Sequence, residues 1–231
     1  MIKKVIKANL EAIRKAYMKL DPKCKILDVG GGDQPIKLAT HVIDIQPFNK
    51  VGRTGVMGRA DEKQRFTKDT WTQMNICDGN WPYKDKEFDF VWCTQVLEDI
   101  RDPIGVCREM MRVGKAGYIN VPRKLGELIY GMNQEAYAQY YNGFWHHRWL
   151  IDKKGDKLIF EPKHAYATSI RWADDKLIKI INDNPELGYL ELYWTDKIEA
   201  IEQFDIKSGD AFMRIKVFVE ETKRKYIKNN D

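Results

Sequence analysis

The sequence predicts an α/β fold built on a mostly parallel sheet, and three observations predict it. Short apolar runs alternate with helical periodicity between residues 25 and 121. The first run ends on three consecutive glycines, and the second ends on a carboxylate. Alternation of this kind implies parallel strands joined by right-handed crossovers.

The elements follow in order. Ile6, Leu10, Ile13, Tyr17 and Leu20 recur at spacings of four and three, which predicts a packing helix that stops before Asp21-Pro22. Lys25-Ile26-Leu27-Asp28-Val29 reads as a buried strand that runs into Gly30-Gly31-Gly32. His41 to Ile45 is the second strand, so close behind the first that any crossover helix must be stunted. Residues 46 to 70 carry Gly52, Gly55 and Gly58 among scattered Lys and Arg, which predicts a loop with one short helix. Trp71 to Ile76 is the expected third strand and Phe88 to Cys93 the fourth. Asp102 caps a helix with Pro103 in its first position and Gly114 at its end, and Ala116 to Val121 is strand five. Beyond Pro122 a tyrosine-rich helical stretch from Glu127 to Tyr141 is expected, then a hairpin turning at Lys154-Gly155-Asp156. A helix from about Trp172 to Asn182 precedes three apolar segments, 189 to 194, 198 to 204 and 211 to 219, which read as strands finishing the sheet.

At 231 residues one domain is expected. Its parts are an N-terminal helix (1–22), a nucleotide-binding core (23–122), a substrate-side insertion (123–170) and a closing segment (171–231). Hydrophobic residues at 43% and charged residues at 32% exclude disordered and fibrous classes. The net charge of +5 arises largely at the termini and identifies no partner. Cys24, Cys77, Cys93 and Cys107 form no C-x-x-C pair, so neither a disulfide framework nor a metal site is expected. With no secretory leader pattern and no apolar run near the roughly 18 residues of a membrane span, the expected compartment is the cytoplasm.

Glycines after a strand let the backbone approach a ligand, and a carboxylate can accept from both ribose hydroxyls, the task for which Asp44 is placed. A dinucleotide fingerprint starting at Gly30 would need a third glycine where Pro35 stands. The short segment after Gly32 also offers a poor helix start for a pyrophosphate. A nucleoside ligand without phosphate meets neither objection.

Ile26-Leu27-Asp28-Val29-Gly30-Gly31-Gly32 resembles the first motif of class I S-adenosylmethionine-dependent methyltransferases, and Asp44 resembles their ribose-binding acid. Residues 75 to 83 and 88 to 99 resemble a block shared by the type 11 branch, in matching order. Arg112 to Tyr118 and His146-His147-Arg148-Trp149 resemble one bacterial subgroup, and residues 24 to 121 carry the specific part of the likeness. The resemblance implies a Rossmann-like sheet of about seven strands, mostly parallel with the last antiparallel, and an inserted α/β cap after strand five. It implies S-adenosyl-L-methionine as cofactor and S-adenosyl-L-homocysteine as product. It further implies that Asp28, Gly30, Gly31, Gly32, Asp44, Ile45, Asn75, Ile76, Asp78 and Gln95 line the cofactor site. Either Asn75 or Asp78 would meet the adenine amine. Gln34 stands where the motif usually has a third glycine.

For the acceptor side, His147 is the candidate base if the acceptor is a hydroxyl or protonated amine, and a structural histidine otherwise. Tyr141, Trp145, His146 and Arg148 are candidate substrate contacts, with Tyr137, Tyr140 and Trp149 as further aromatics that either stack on a ligand or pack the insertion. Adjacent histidines without a third ligand at recognisable spacing argue against a metal. Asp89 is read as a loop anchor, and Glu98 and Asp99 as helix-start carboxylates rather than bases. The acceptor is expected to be a small molecule or glycan. A nucleic-acid acceptor and a non-catalytic binding protein are the alternatives, with a nicotinamide-dependent oxidoreductase behind them.

Overall fold

In the computed structural model, residues 2–50, 55–132, 140–205, 207 and 209–227 are described. In chain order the elements are helix α1 (Ile2–Tyr17) and strands β1 (Ile26–Val29), β2 (His41–Asp44), β3 (Trp71–Gln73) and β4 (Phe88–Thr94). Then come α2 (Pro103–Val113), β5 (Gly114–Pro122), α3 (Lys124–Glu127), β6 (Trp149–Lys154), β7 (Lys157–Pro162), α4 (Ala165–Ser169), α5 (Asp175–Asp183), β8 (Tyr189–Thr195), β9 (Glu199–Glu202) and α6 (Asp210–Ile227). The chain divides into two compact units, one of residues 12–121 with 191–200, the other of 1–11, 122–190 and 201–231.

The first unit is organised by a six-stranded sheet in the order β3-β2-β1-β4-β5-β8. All four residues of β1 are buried, as a strand covered on both faces requires. It pairs in parallel with β2 on one side and β4 on the other, so that Asp28 lies opposite both Val42 and Trp92. The β2–β3 and β4–β5 pairs are also parallel. The edge strand β8 runs antiparallel to β5: the Asp196 N–H donates to the Lys115 carbonyl (2.8 Å) at one end, and the Arg123 N–H to the Gly188 carbonyl (3.0 Å) at the other. Ile13, Ala16 and Tyr17 pack with Ile26, Val42, Trp92 and Tyr118 in one core. Asp102 caps α2 by accepting from the Gly105 N–H at 2.8 Å, as its sequence position predicts.

The second unit holds a three-stranded sheet, β6-β7-β9, and its own core of Val5, Leu128, Leu150, Leu177, Ile181, Ile215 and Val219 among others. The β6–β7 hairpin pairs Lys154 with Lys157 across Gly155, whose φ of +60° suits glycine.

Several expectations are corrected. Residues 211–219 are not a strand but part of α6, because the buried set Ala211, Ile215 and Val219 recurs every four residues. The segment expected as a sheet-completing strand at 198–204 contributes only β9, and to the smaller sheet. Among the described residues the main sheet has six strands, where about seven were expected. β3 stops at Gln73 because Asn75 caps a 3-10 turn over Ile76–Asp78. The predicted helix from Glu127 is absent over 128–132, which turn through Gly131 at φ +72°. Its remainder, with Tyr137, falls largely outside the described residues. In α1 Leu10 is exposed and the buried stripe instead runs through Val5, Ala12, Ile13, Ala16 and Tyr17.

Candidate functional site

The carboxyl ends of β1, β2, β3 and β4 lie on one edge of the sheet because these strands are parallel, and that edge gathers the cofactor-side residues. Gly30 turns the chain off β1 at φ +72°, its N–H donating to the Ile43 carbonyl at 2.9 Å. A Cβ there would stand 2.4 Å from a Val96 methyl, so conformation and space both demand glycine. At Gly31 a Cβ would approach the Asp28 carboxylate to 2.6 Å, and at Gly32 it would approach that of Asp44 to 2.5 Å. The turn is therefore folded directly over two acids.

Both acids are buried. Asp28 accepts from the Ile36 N–H at 2.9 Å. Burial pushes its carboxyl up to about 7, Asp44 adding to the rise and the Ile36 bond opposing it. Asp44 accepts from the Gly32 N–H (2.9 Å) and the Gln46 N–H (2.7 Å), one at each oxygen. Each oxygen retains acceptor capacity for a further donor. Beside it Ile45 is 66% exposed, a large apolar side chain at the mouth of a polar turn.

After β3, Asn75 is the N-cap of its 3-10 turn, accepting from the Cys77 N–H (3.1 Å) and donating to Asp78 (3.1 Å). Ile76 is buried, its carbonyl held by the Trp81 indole N–H at 3.0 Å. The Asp78 carboxylate is exposed and has Arg101 at 3.4 Å. Asn75 is thus committed to the turn, and Asp78 keeps the outward-facing oxygens. Gln95 follows β4 at φ +56°, an uncommon conformation for a residue with a side chain. Its N–H donates to the Asn120 carbonyl and its Nε2 to Asn120 Oδ1, both at 2.8 Å.

Arg101 and Asn120 were not among the residues singled out from sequence. Nothing in the pattern marks Arg101. Asn120 carries a signal: it interrupts the apolar run Tyr118-Ile119-Asn120-Val121, and a buried amide in a strand needs partners.

The acceptor-side candidates lie in the second unit. His147 is buried, its Nδ1 2.9 Å from Glu127 Oε1 and its ring stacked on Phe144 at 4.8 Å. Lys163 pairs with the same Glu127 and donates to the Phe144 carbonyl at 2.7 Å. Burial would raise the Glu127 carboxyl, but the charges of Lys163 and His147 hold it at about 2. Tyr141 and Trp145 are exposed, as are His146 and Arg148, with Trp145 edge-on to His146 at 5.6 Å. The Arg148 carbonyl accepts from the Lys163 N–H at 2.8 Å. The structure brings Glu127, His147 and Lys163 together, and of these only His147 was singled out from sequence.

The edge presents carboxylates and no helix start. Residues 30–40 contain no helix whose N-terminus could hold phosphates, and the side chains presented are carboxylates, which suit hydroxyl, amine and ammonium donors. The fold is an α/β one with a mostly parallel sheet and an antiparallel edge strand, the architecture the sequence predicts. Residues 52–119 match the family described as the methyltransferase domain, type 11. The matched stretch spans β3 to β5 and leaves the glycine turn and Asp44 before it. Among solved structures, an S-adenosylmethionine-dependent methyltransferase from Mesorhizobium loti is 13% identical, with a TM-score of 0.35 over 54% of this chain and 58% of that one. A counterpart from Thermotoga maritima is 19% identical, with a TM-score of 0.32 over 47% of this chain and 48% of that one. The chain spans about half the length of such structures. No curated protein matches the chain.

Proposed function

We propose that the chain transfers a methyl group from S-adenosylmethionine to an acceptor, most simply a small molecule or glycan. The observation that carries this reading is the convergence of Asp28, the glycine turn, Asp44, the Asn75–Asp78 turn and Gln95 on one carboxyl edge of the parallel sheet. Asp44 would accept from the ribose hydroxyls, Ile45 would pack against the adenine, and Asp78 would accept from its amine. Asp28 would attract the methionine ammonium through the glycine turn. The bound cofactor supplies an electrophilic sulfonium methyl, so alignment and exclusion of water are the protein's main tasks. Where the acceptor is a hydroxyl or a protonated amine, His147 is the proposed base. Glu127 lies 2.9 Å from its Nδ1 and so orients the ring, and only the neutral form of that imidazole would serve as a base.

The basic loop that would favour a nucleic acid is partly spent on the fold. Arg65 donates to the Cys24 and Leu38 carbonyls, both at 3.0 Å, and Arg59 pairs with Glu62 at 2.7 Å. Few phosphate contacts would remain for these side chains. Among the described residues no helix is long and apolar enough to cross a membrane.

Thermal denaturation with two ligands tests the reading. S-adenosylhomocysteine is expected to raise the Tm and NADH to leave it unchanged. A shift with NADH alone would replace the methyl-transfer reading with a hydride-transfer one.

A further inference from the structure

A chain of hydrogen bonds crosses the first unit from its edge strand to the candidate site. The Tyr118 hydroxyl donates to Glu191 Oε1 at 2.7 Å, Asn120 Nδ2 donates to the Tyr118 oxygen at 3.4 Å, and Gln95 Nε2 donates to Asn120 Oδ1 at 2.8 Å. The direction of the chain is fixed at one end. A carboxylate only accepts, so Tyr118 must give its proton to Glu191 and receive from Asn120. Asn120 then has its amide nitrogen toward Tyr118 and its oxygen toward Gln95, which commits the Gln95 nitrogen inward. Tyr118 and Asn120 are fully buried, so water does not scramble this order from within. Burial and the Glu191 charge also raise the Tyr118 phenol, keeping its proton in place as the donor.

The far end is exposed and strained. Gln95 holds φ +56°, a conformation that persists only where surroundings over-determine it, and here Asn120 grips both its backbone N–H and its side-chain amide. Its neighbour Val96 is the residue against which Gly30 is pressed, so Gln95 borders the glycine turn.

We infer that Glu191, Tyr118 and Asn120 act as a polarity relay, positioning residues that turn the Gln95 carbonyl oxygen outward beside the glycine turn to read a cationic N–H donor, the ammonium of an amino-acid-bearing nucleoside. The inference rests on the nucleoside-binding reading and adds to it which group sets selectivity for the amino-acid tail. A Gln95 amide turned the other way would present hydrogens to that ammonium and repel it.

The test compares two probes by calorimetry: S-adenosylhomocysteine, which carries the ammonium, and 5′-deoxy-5′-methylthioadenosine, which keeps the nucleoside and thioether and lacks the tail. The full chain is expected to bind both. Gln95→Met should weaken S-adenosylhomocysteine about tenfold and leave methylthioadenosine unchanged, the loss of one charge-assisted hydrogen bond. Glu191→Gln, at an exposed position remote in sequence from the turn, gives the relay an end that can donate as well as accept. It should reduce the same selectivity roughly threefold, within the range of one hydrogen bond. Asn120→Leu should reproduce the Gln95→Met pattern. Equal weakening of both probes by Glu191→Gln or Asn120→Leu would show a merely structural role and overturn the relay, as would unchanged selectivity in Gln95→Met. If the unmodified chain binds neither probe, the nucleoside reading itself fails and the relay with it.

Discussion

Two buried carboxylates, one in each unit, are treated in opposite ways. Glu127 is enclosed with Lys163 and His147, and its charge is matched within the protein, which holds the carboxyl at about 2. Asp28 is as deeply buried but meets a backbone N–H and a second acid, and its carboxyl is pushed up to about 7. The first is a completed structural pair. The second is an incomplete one, and a cationic ligand at the glycine turn would complete it. The difference marks Asp28 as a candidate ligand-facing acid more clearly than burial does, because burial is the same in both.

The largest expected effect lies on the scaffold side. Glu127→Ala leaves Lys163 and His147 buried without their anion, and urea denaturation should show a loss of about 3–5 kcal/mol. A cost below 1 kcal/mol would erase the contrast with Asp28. Next comes Gly30→Ala, which forces a side chain into φ +72° against Val96. A loss of about 1–2 kcal/mol is expected from the backbone conformation alone, together with weaker nucleoside binding.

The pH response should then divide the two carboxylates. Glu127 has a depressed folded value, so its stabilisation is present above the ordinary glutamate range and is lost as pH falls toward about 2. Asp28 has a raised one, so the folded state binds its proton more tightly and stability falls as pH rises from about 4 to about 7. Asp28→Asn should flatten that decline, by about 1–3 kcal/mol between pH 5 and pH 8 in denaturation curves. A decline that persists unchanged in Asp28→Asn would assign it to another group. An ammonium-bearing ligand favours ionised Asp28, so its affinity in the unmodified protein should rise across the same pH window.

Much of the first unit was legible in the sequence. Strands that are apolar throughout declare a covered parallel sheet, Asp102 and Pro103 declare a helix start, and three glycines after β1 declare a turn that must approach something closely. The second unit was less legible, for physical reasons. An apolar segment such as 211–219 fits either period until its burial is known, and here the repeat of four decides for α6. The helix expected from Glu127 fails where Gly131 turns left-handed and where Glu127 itself is drawn into an ion pair with residues far along the chain. At the candidate site, the motif residues could be named from sequence and lie at the carboxyl ends of the parallel strands, whereas Asn120, Tyr118 and Glu191 are united only by the pairing of β5 with β4 and β8.

The central claim is that the incomplete acidic edge binds an adenosine-bearing cofactor through Asp44. Calorimetric titration with S-adenosylhomocysteine tests it most directly. The account predicts saturable binding that Asp44→Ala weakens about a hundredfold, since the ribose loses a charged acceptor for both hydroxyls. Absence of heat at millimolar ligand, or affinity indifferent to Asp44→Ala, would contradict it.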